Sequence, residues 1–142
     1  MTNKSFERFA VFQVLAPAST NIASGALLLF GHGTHATPCV ACEAQNTTNP
    51  PYDSNSGYIS VDPEGAFNLT VIARTQSSPS AGSAINRGDA VYADGGTYDI
   101  TSGITTGSTL DADSNGTFVG LALDPLAAGT TGTIRVLLKN SC

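Results

Sequence analysis

His32, His35, Cys39 and Cys42 form the densest cluster of reactive side chains, four potential zinc ligands within eleven residues that end on a Cys-x-x-Cys spacing. Imidazoles and thiolates at such spacing can hold a tetrahedral zinc ion if all four converge. A strand defeats that convergence, because Cys39 and Cys42 would then project to opposite faces. Val40 and Ala41 lie between them, so no glycine is present to form a metal-binding knuckle. The cysteines are therefore expected as small packed residues, the histidines as exposed loop groups, and no metal is expected to bind. A redox role is disfavoured for the same pair, because the reactive cysteine of that motif needs a helix N-terminus and no helical pattern follows. Cys142 is read as a solvated thiol.

Asp111-Ala-Asp113-Ser-Asn115-Gly116 imitates the first half of a calcium-binding loop. The twelfth position of such a loop should be a bidentate glutamate, but here it is Ala122. Strand-like flanks favour an Asp/Asn-rich β-turn instead. Nucleophilic catalysis requires a base within hydrogen-bond reach, and the two histidines both fall in one Gly/Thr-containing loop. No Gly-x-Ser-x-Gly elbow and no phosphate-cradling loop before a helix occurs. The chain is thus read as a non-enzyme without a cofactor. Asn46-Thr-Thr, Asn68-Leu-Thr and Asn115-Gly-Thr match glycosylation acceptors, but without a secretion signal they read as ordinary turn and strand residues.

The elements that must carry these residues are strands. No long window has an apolar helical stripe free of Gly and Pro, whereas short alternating or continuous apolar runs are frequent. Expected strands are 9–15, 26–30, 39–43, 58–61, 66–73, 89–93, 97–101, 117–123 and 132–138. The first is apolar on both faces and closed by Pro17, the pattern of a buried strand. Asn49–Pro51, Asp62–Gly65, Asp94–Gly96 and Ser114–Gly116 have turn chemistry. Asp94-Gly95-Gly96-Thr97 is read as a hairpin between Val91-Tyr92 and Tyr98–Ile100. The segment Gln76–Ala84 lacks bulky residues and is read as a long exposed loop.

Many short strands divided by such turns predict an all-β fold, a compact β-sandwich or barrel-like domain over 9–142 preceded by an extended N-terminal arm, 1–8. A weak internal repeat, about 9–75 and 85–142, implies two similar β lobes. It lays Gly25–Phe30, Pro38–Ala44 and Gly57–Val61 over Gly88–Ala93, Phe118–Asp124 and Gly132–Val136 in turn.

At 142 residues the chain is long enough for a core without staples, and its three cysteines do not make a disulfide framework. Charged residues are only 12% of the chain and the net charge is −5, which argues against binding phosphate backbones and leaves nucleic acid an unexpected partner. A weakly charged surface is expected to be covered in part by another subunit. The longest apolar run, Ile22–Phe30, is too short to span a bilayer and is broken by Ser24 and Gly25, so no membrane association is expected. The N-terminus lacks the apolar core of a signal peptide, which suggests synthesis in a cytoplasm.

Ile85-Asn-Arg-Gly-Asp-Ala-Val-Tyr, Phe118-Val-Gly-Leu-Ala-Leu and Ala127-Ala-Gly-Thr-Thr-Gly-Thr-Ile-Arg-Val-Leu-Leu occur here in a particular order. That ordered set resembles the decoration (cement) proteins of tailed-bacteriophage capsids, a family of small structural proteins once described only as a domain of unknown function. The first half follows more loosely, from Val14-Leu-Ala-Pro through Ser24-Gly25 to Phe67-Asn-Leu-Thr-Val. The His-containing segment Gly31–Pro38 and the insertion Gln45–Ser56 depart from the family's compact spacing. The resemblance implies a homotrimer on the outer face of the virion, bridging subunits of the major capsid protein and stabilising the expanded shell. Lys4, Phe6 and Arg8 on the arm are the expected capsid contacts, since an extended arm can add to a sheet edge. The competing readings are a receptor- or glycan-binding module of a phage fibre or bacterial surface, with Tyr52 and Tyr58 as its aromatic candidates, and a small zinc-stabilised structural module.

Overall fold

β-branched and aromatic residues between Gly-, Asn- and Asp-rich turns fold into eleven strands and one 3-10 turn, as described for residues 12–17, 20–31, 33–45 and 58–139 in a computed structural model. The strands are β1 (Phe12–Leu15), β2 (Leu27–Phe30), β3 (Thr37–Ala41), β4 (Tyr58–Asp62), β5 (Gly65–Ile72) and β6 (Ala90–Asp94). They continue as β7 (Thr97–Asp99), β8 (Ile104–Thr106), β9 (Thr109–Asp111), β10 (Thr117–Ala122) and β11 (Thr131–Leu138), and the 3-10 turn spans Gly33–His35. The protein is all-β. It combines a closed five-stranded barrel, β10-β11-β5-β9-β6, with an open six-stranded sheet, β1-β4-β3-β2-β8-β7.

The barrel is built around its longest ladder. β5 and β11 run antiparallel from Gly65↔Leu138 to Ile72↔Thr131. The pairs Phe67↔Val136 and Leu69↔Ile134 put apolar side chains on the inner face, while Thr70 and Thr133 face outward with their hydroxyls 3.5 Å apart. This period-two pattern fixes the register, since a slip of one residue would turn the apolar row to water. Parallel contact between β5 and β9 through Ile72↔Asp111 joins the seam. Beside that pair the amide of Ala112 donates to the carbonyl of Arg74 at 3.1 Å.

The open sheet contributes buried side chains from both faces. Leu29 and Val40, with Ala36, join the barrel residues Val71, Val91, Val119 and Val136 in one core. Leu28, Cys39, Ile59, Val61 and Ile104 form a second core with Val14 and Ile22 on the opposite face. Each fully buried aliphatic side chain stabilises the fold by about 1.5–3 kcal/mol. In the sheet, β3 pairs antiparallel with β2 and β4; in the barrel, β10 pairs antiparallel with β6 and β11.

Four expectations need correction. β1 is an edge strand rather than a buried one: Val14 is buried, but Gln13 and Leu15 are exposed. Asp94-Gly95-Gly96-Thr97 is not a hairpin, because β6 stays in the barrel and β7 pairs with β8 in the open sheet. Gly95 and Gly96, at φ +66° and +88°, redirect the chain from one sheet to the other. β3 starts two residues earlier than expected and ends at Ala41, with Pro38 inside it, which leaves Cys42 on the bend that follows. The three-residue strands β8 and β9 had no counterpart among the expected strands, being too short to display alternation. Among the described residues, no helix is long and apolar enough to cross a membrane.

Candidate functional site

Part of what the sequence emphasised lies outside the described residues. Lys4, Phe6 and Arg8 do so entirely, as do His32 and Tyr52. Of the remaining cluster, His35 is exposed at the end of the 3-10 turn and Cys39 is fully buried beside Leu28, whose carbonyl lies 3.6 Å from its Sγ. Burial, reinforced by the neighbouring Cys42, pushes the Cys39 thiol up to about 12, so it remains a packed, protonated group. Cys42 is exposed, and burial together with Asp62 and Glu43 raises its thiol too. Neither cysteine has the depressed pKa of a reactive thiol.

The calcium-like segment is folded as stacked Asx turns. Asp111 Oδ1 accepts from the amide of Asp113 at 3.0 Å, and Asp113 Oδ1 accepts from the amide of Asn115 at 3.1 Å. Asp111 Oδ2 accepts from Arg74 Nε at 3.2 Å, a pair in which Asp111 is buried and Arg74 partly exposed. Asp94, at the end of β6, lies against the same group; burial first, then Asp111 and Asp113, push its carboxyl up to about 6 against the pull of Arg74. These groups border a cavity of about 290 Å³ that also touches Gln76 and Pro79. No three His, Cys, Asp or Glu side chains converge as metal ligands among the described residues. Ala122, where a calcium loop would need its glutamate, is a buried β10 residue in the barrel core.

Exposed apolar groups are distributed unevenly. Leu15, Phe30, Tyr58, Tyr98 and Ile100 are the large apolar side chains that remain open to solvent among the described residues. All five belong to the open sheet or to the turn between β7 and β8; none is on the barrel. Leu15 and Tyr58 are cross-strand neighbours at the β1 edge. Ile100, 85% exposed, tops the β7–β8 turn, which the bond from Gly103 N to Asp99 O closes at 2.8 Å. Phe30 lies beside this turn, paired in register with Ile104. Asp99 holds the turn by accepting from the amide of Ser102 at 2.9 Å, and its hydrogen bonds with Ser102 hold its carboxyl below the usual range. The barrel has no free edge, whereas β1 and β7 end the open sheet. Sheet edges and exposed apolar groups are what proteins use to adhere to one another.

Such a molecule is an all-β protein whose exposed large apolar groups and open sheet edges, among the described residues, fall on one lobe. The chain matches the family model of phage cement proteins over residues 6–138, and it belongs to that family. No curated protein matches it, and no solved structure does. Membership makes it a structural protein of phage. The sequence singled out Tyr58 only for a receptor- or glycan-binding reading, and it did not single out Phe30 on β2 or Ile100 on the β7–β8 turn. Ile100 follows the strand pattern of Thr97–Asp99, and nothing in its own type distinguishes a turn apex from a core position.

Proposed function

We propose that the protein decorates the outer surface of a phage capsid and, as a homotrimer, stabilises the expanded shell by bridging subunits of the major capsid protein, without catalysing a reaction. The observation that carries this reading is the confinement of the exposed large apolar side chains to the open-sheet lobe of a cement-family protein. Phe30 and Ile100 form the principal shell contact, and the barrel is the rigid body behind it. The arm at 1–8, with Lys4, Phe6 and Arg8, adds a second contact, while 9–142 acts as one unit. Repetition over a shell multiplies weak contacts, so each copy needs only modest affinity. The protein is made in the host cytoplasm and joins the outer face of the virion.

Expanded capsids lacking the protein provide the test. Adding purified protein and following sedimentation should give saturable binding, and scanning calorimetry should show a higher disruption temperature for the loaded shells. Unchanged disruption temperature at saturation would remove the bridging role, and no binding at all would remove decoration itself. Analytical ultracentrifugation of the free protein is expected to give a trimer mass.

A further inference from the structure

A cleft of about 310 Å³ lies where the open sheet meets the barrel. Tyr98, Asp94, Asn115, Thr105 and Thr117 line it, drawn from β7, β6, the turn before β10, β8 and β10. Gly95, Gly96 and Gly116 also line it. Tyr98 is 38% exposed.

The polar groups are held in place. A Cβ on Gly116 would strike Asp94 Oδ1 and the carbonyl of Ala93, so the missing side chain lets the Asp94 carboxylate lie against the backbone of the turn. Asn115 is fixed from two sides, its amide donating to Asp113 Oδ1 at 3.1 Å and its Nδ2 to Gln76 Oε1 at 3.0 Å. Thr117 Oγ1 approaches the carbonyl of Gly33 at 3.4 Å, which ties β10 to the 3-10 turn. The cleft therefore combines an aromatic side chain with a carboxylate, a fixed amide and hydroxyls.

Those features select the ligand class. A carboxylate on the wall, backed by Asp111 and Asp113, repels phosphate and other anions. A pyranose has an apolar face of C–H groups to lie on a tyrosine ring and a rim of hydroxyls that donate to carboxylate and amide oxygens. Its size also suits a cleft near the lower end of the 300–1,000 Å³ typical of small-ligand sites. We propose that this cleft is a saccharide-binding subsite, with Tyr98 as the stacking platform and Asp94 and Asn115 as acceptors for sugar hydroxyls. The site is distinct from the Phe30 and Ile100 surface and does not depend on the shell-binding reading.

The charge on Asp94 supplies a signature. Asp111 on β9, Asp113 in the turn after it and Arg74 after β5 are the ionisable groups set against Asp94, and their balance leaves it taking up a proton near pH 6. Hydrogen bonds to an ionised carboxylate are about twice as strong as neutral ones. Sugar binding should therefore weaken on acidification.

The test titrates the full chain with maltotriose, lactose and tri-N-acetylchitotriose, alongside N-acetyl-lysine methylamide as a cationic probe, followed by ¹H–¹⁵N NMR. At least one oligosaccharide should shift the Asn115 side chain and the Gly95 and Gly96 amides saturably, with a dissociation constant on the order of 1 mM. Affinity should drop about fivefold from pH 7.5 to pH 5, and Asp94→Asn should abolish that dependence. Tyr98→Ala should lose binding while its amide spectrum remains dispersed. Asp94→Asn should still sediment with capsids, which separates this site from shell attachment. The proposal is overturned if no sugar perturbs these signals, if only the lysine derivative does, or if Tyr98→Ala binds sugar as well as wild type.

Discussion

Asp94 faces Asp111 and Asp113 with Arg74 as the one cation in the group, and its pKa rises from 3.8 to about 6. A carboxyl whose pKa is raised by folding holds its proton more tightly in the native state. Its contribution to stability is therefore fullest below pH 3.8 and is lost as the pH climbs through about 6. Asp124 has the opposite sign: Arg135 donates to it from Nε at 3.0 Å and from Nη2 at 2.7 Å, and these bonds hold its carboxyl well below the usual range. Its stabilisation is present at neutral pH and lost in strong acid. Urea denaturation from pH 4 to 7.5 should find Asp94→Asn more stable than wild type at neutral pH, by on the order of 1 kcal/mol after allowing for solvent screening. The gap should close towards pH 4, and a gap independent of pH would contradict the assignment. Gly120 tests packing at the same scale. A methyl group there would overlap the carbonyl of Leu137, so Gly120→Ala should cost about 2 kcal/mol or more in the same assay.

The barrel seam is the vulnerable element. β5 and β9 share the pair Ile72↔Asp111, and the Arg74–Asp111 ion pair spans the same junction. Arg74→Ala leaves the buried Asp111 carboxylate facing two others, and should destabilise by about 2–3 kcal/mol. Adding Asp94→Asn should return part of that loss. Strict additivity in a double-mutant cycle would show that the charges are not coupled. Much of this architecture was legible in the residues. The runs at 66–73 and 132–138 display alternation long enough to reveal β5 and β11, and the largely apolar run at 117–123 reveals β10. The seam was hidden, because β9 has three residues and no alternation to display, and β8 in the open sheet was missed for the same reason. Asp94-Gly95-Gly96 was readable as a turn, but local sequence does not say whether the following strand returns to its own sheet or enters another. The acid cluster was half visible: Asp111 and Asp113 were singled out as a pair, whereas Arg74 and Asp94 join them only through the barrel's closure.

At the scale of the molecule, a closed barrel adjoins an open sheet, and the proposed shell contact lies on the sheet. Closure removes free edges from the barrel, and the exposed large apolar groups fall on the other lobe. The cores are nevertheless linked, since Leu29 and Val40 of the open sheet pack with the barrel residues. The barrel core thus continues into the sheet that carries the exposed apolar groups. The most direct measurement is co-sedimentation of Ile100→Asp and Thr133→Asp variants with capsids lacking the protein, Thr133 being an exposed residue on β11 of the barrel. The account predicts at least about tenfold weaker shell binding for Ile100→Asp, the loss of an apolar anchor that docking would bury, and wild-type binding for Thr133→Asp. Full binding by Ile100→Asp together with loss in Thr133→Asp would contradict it.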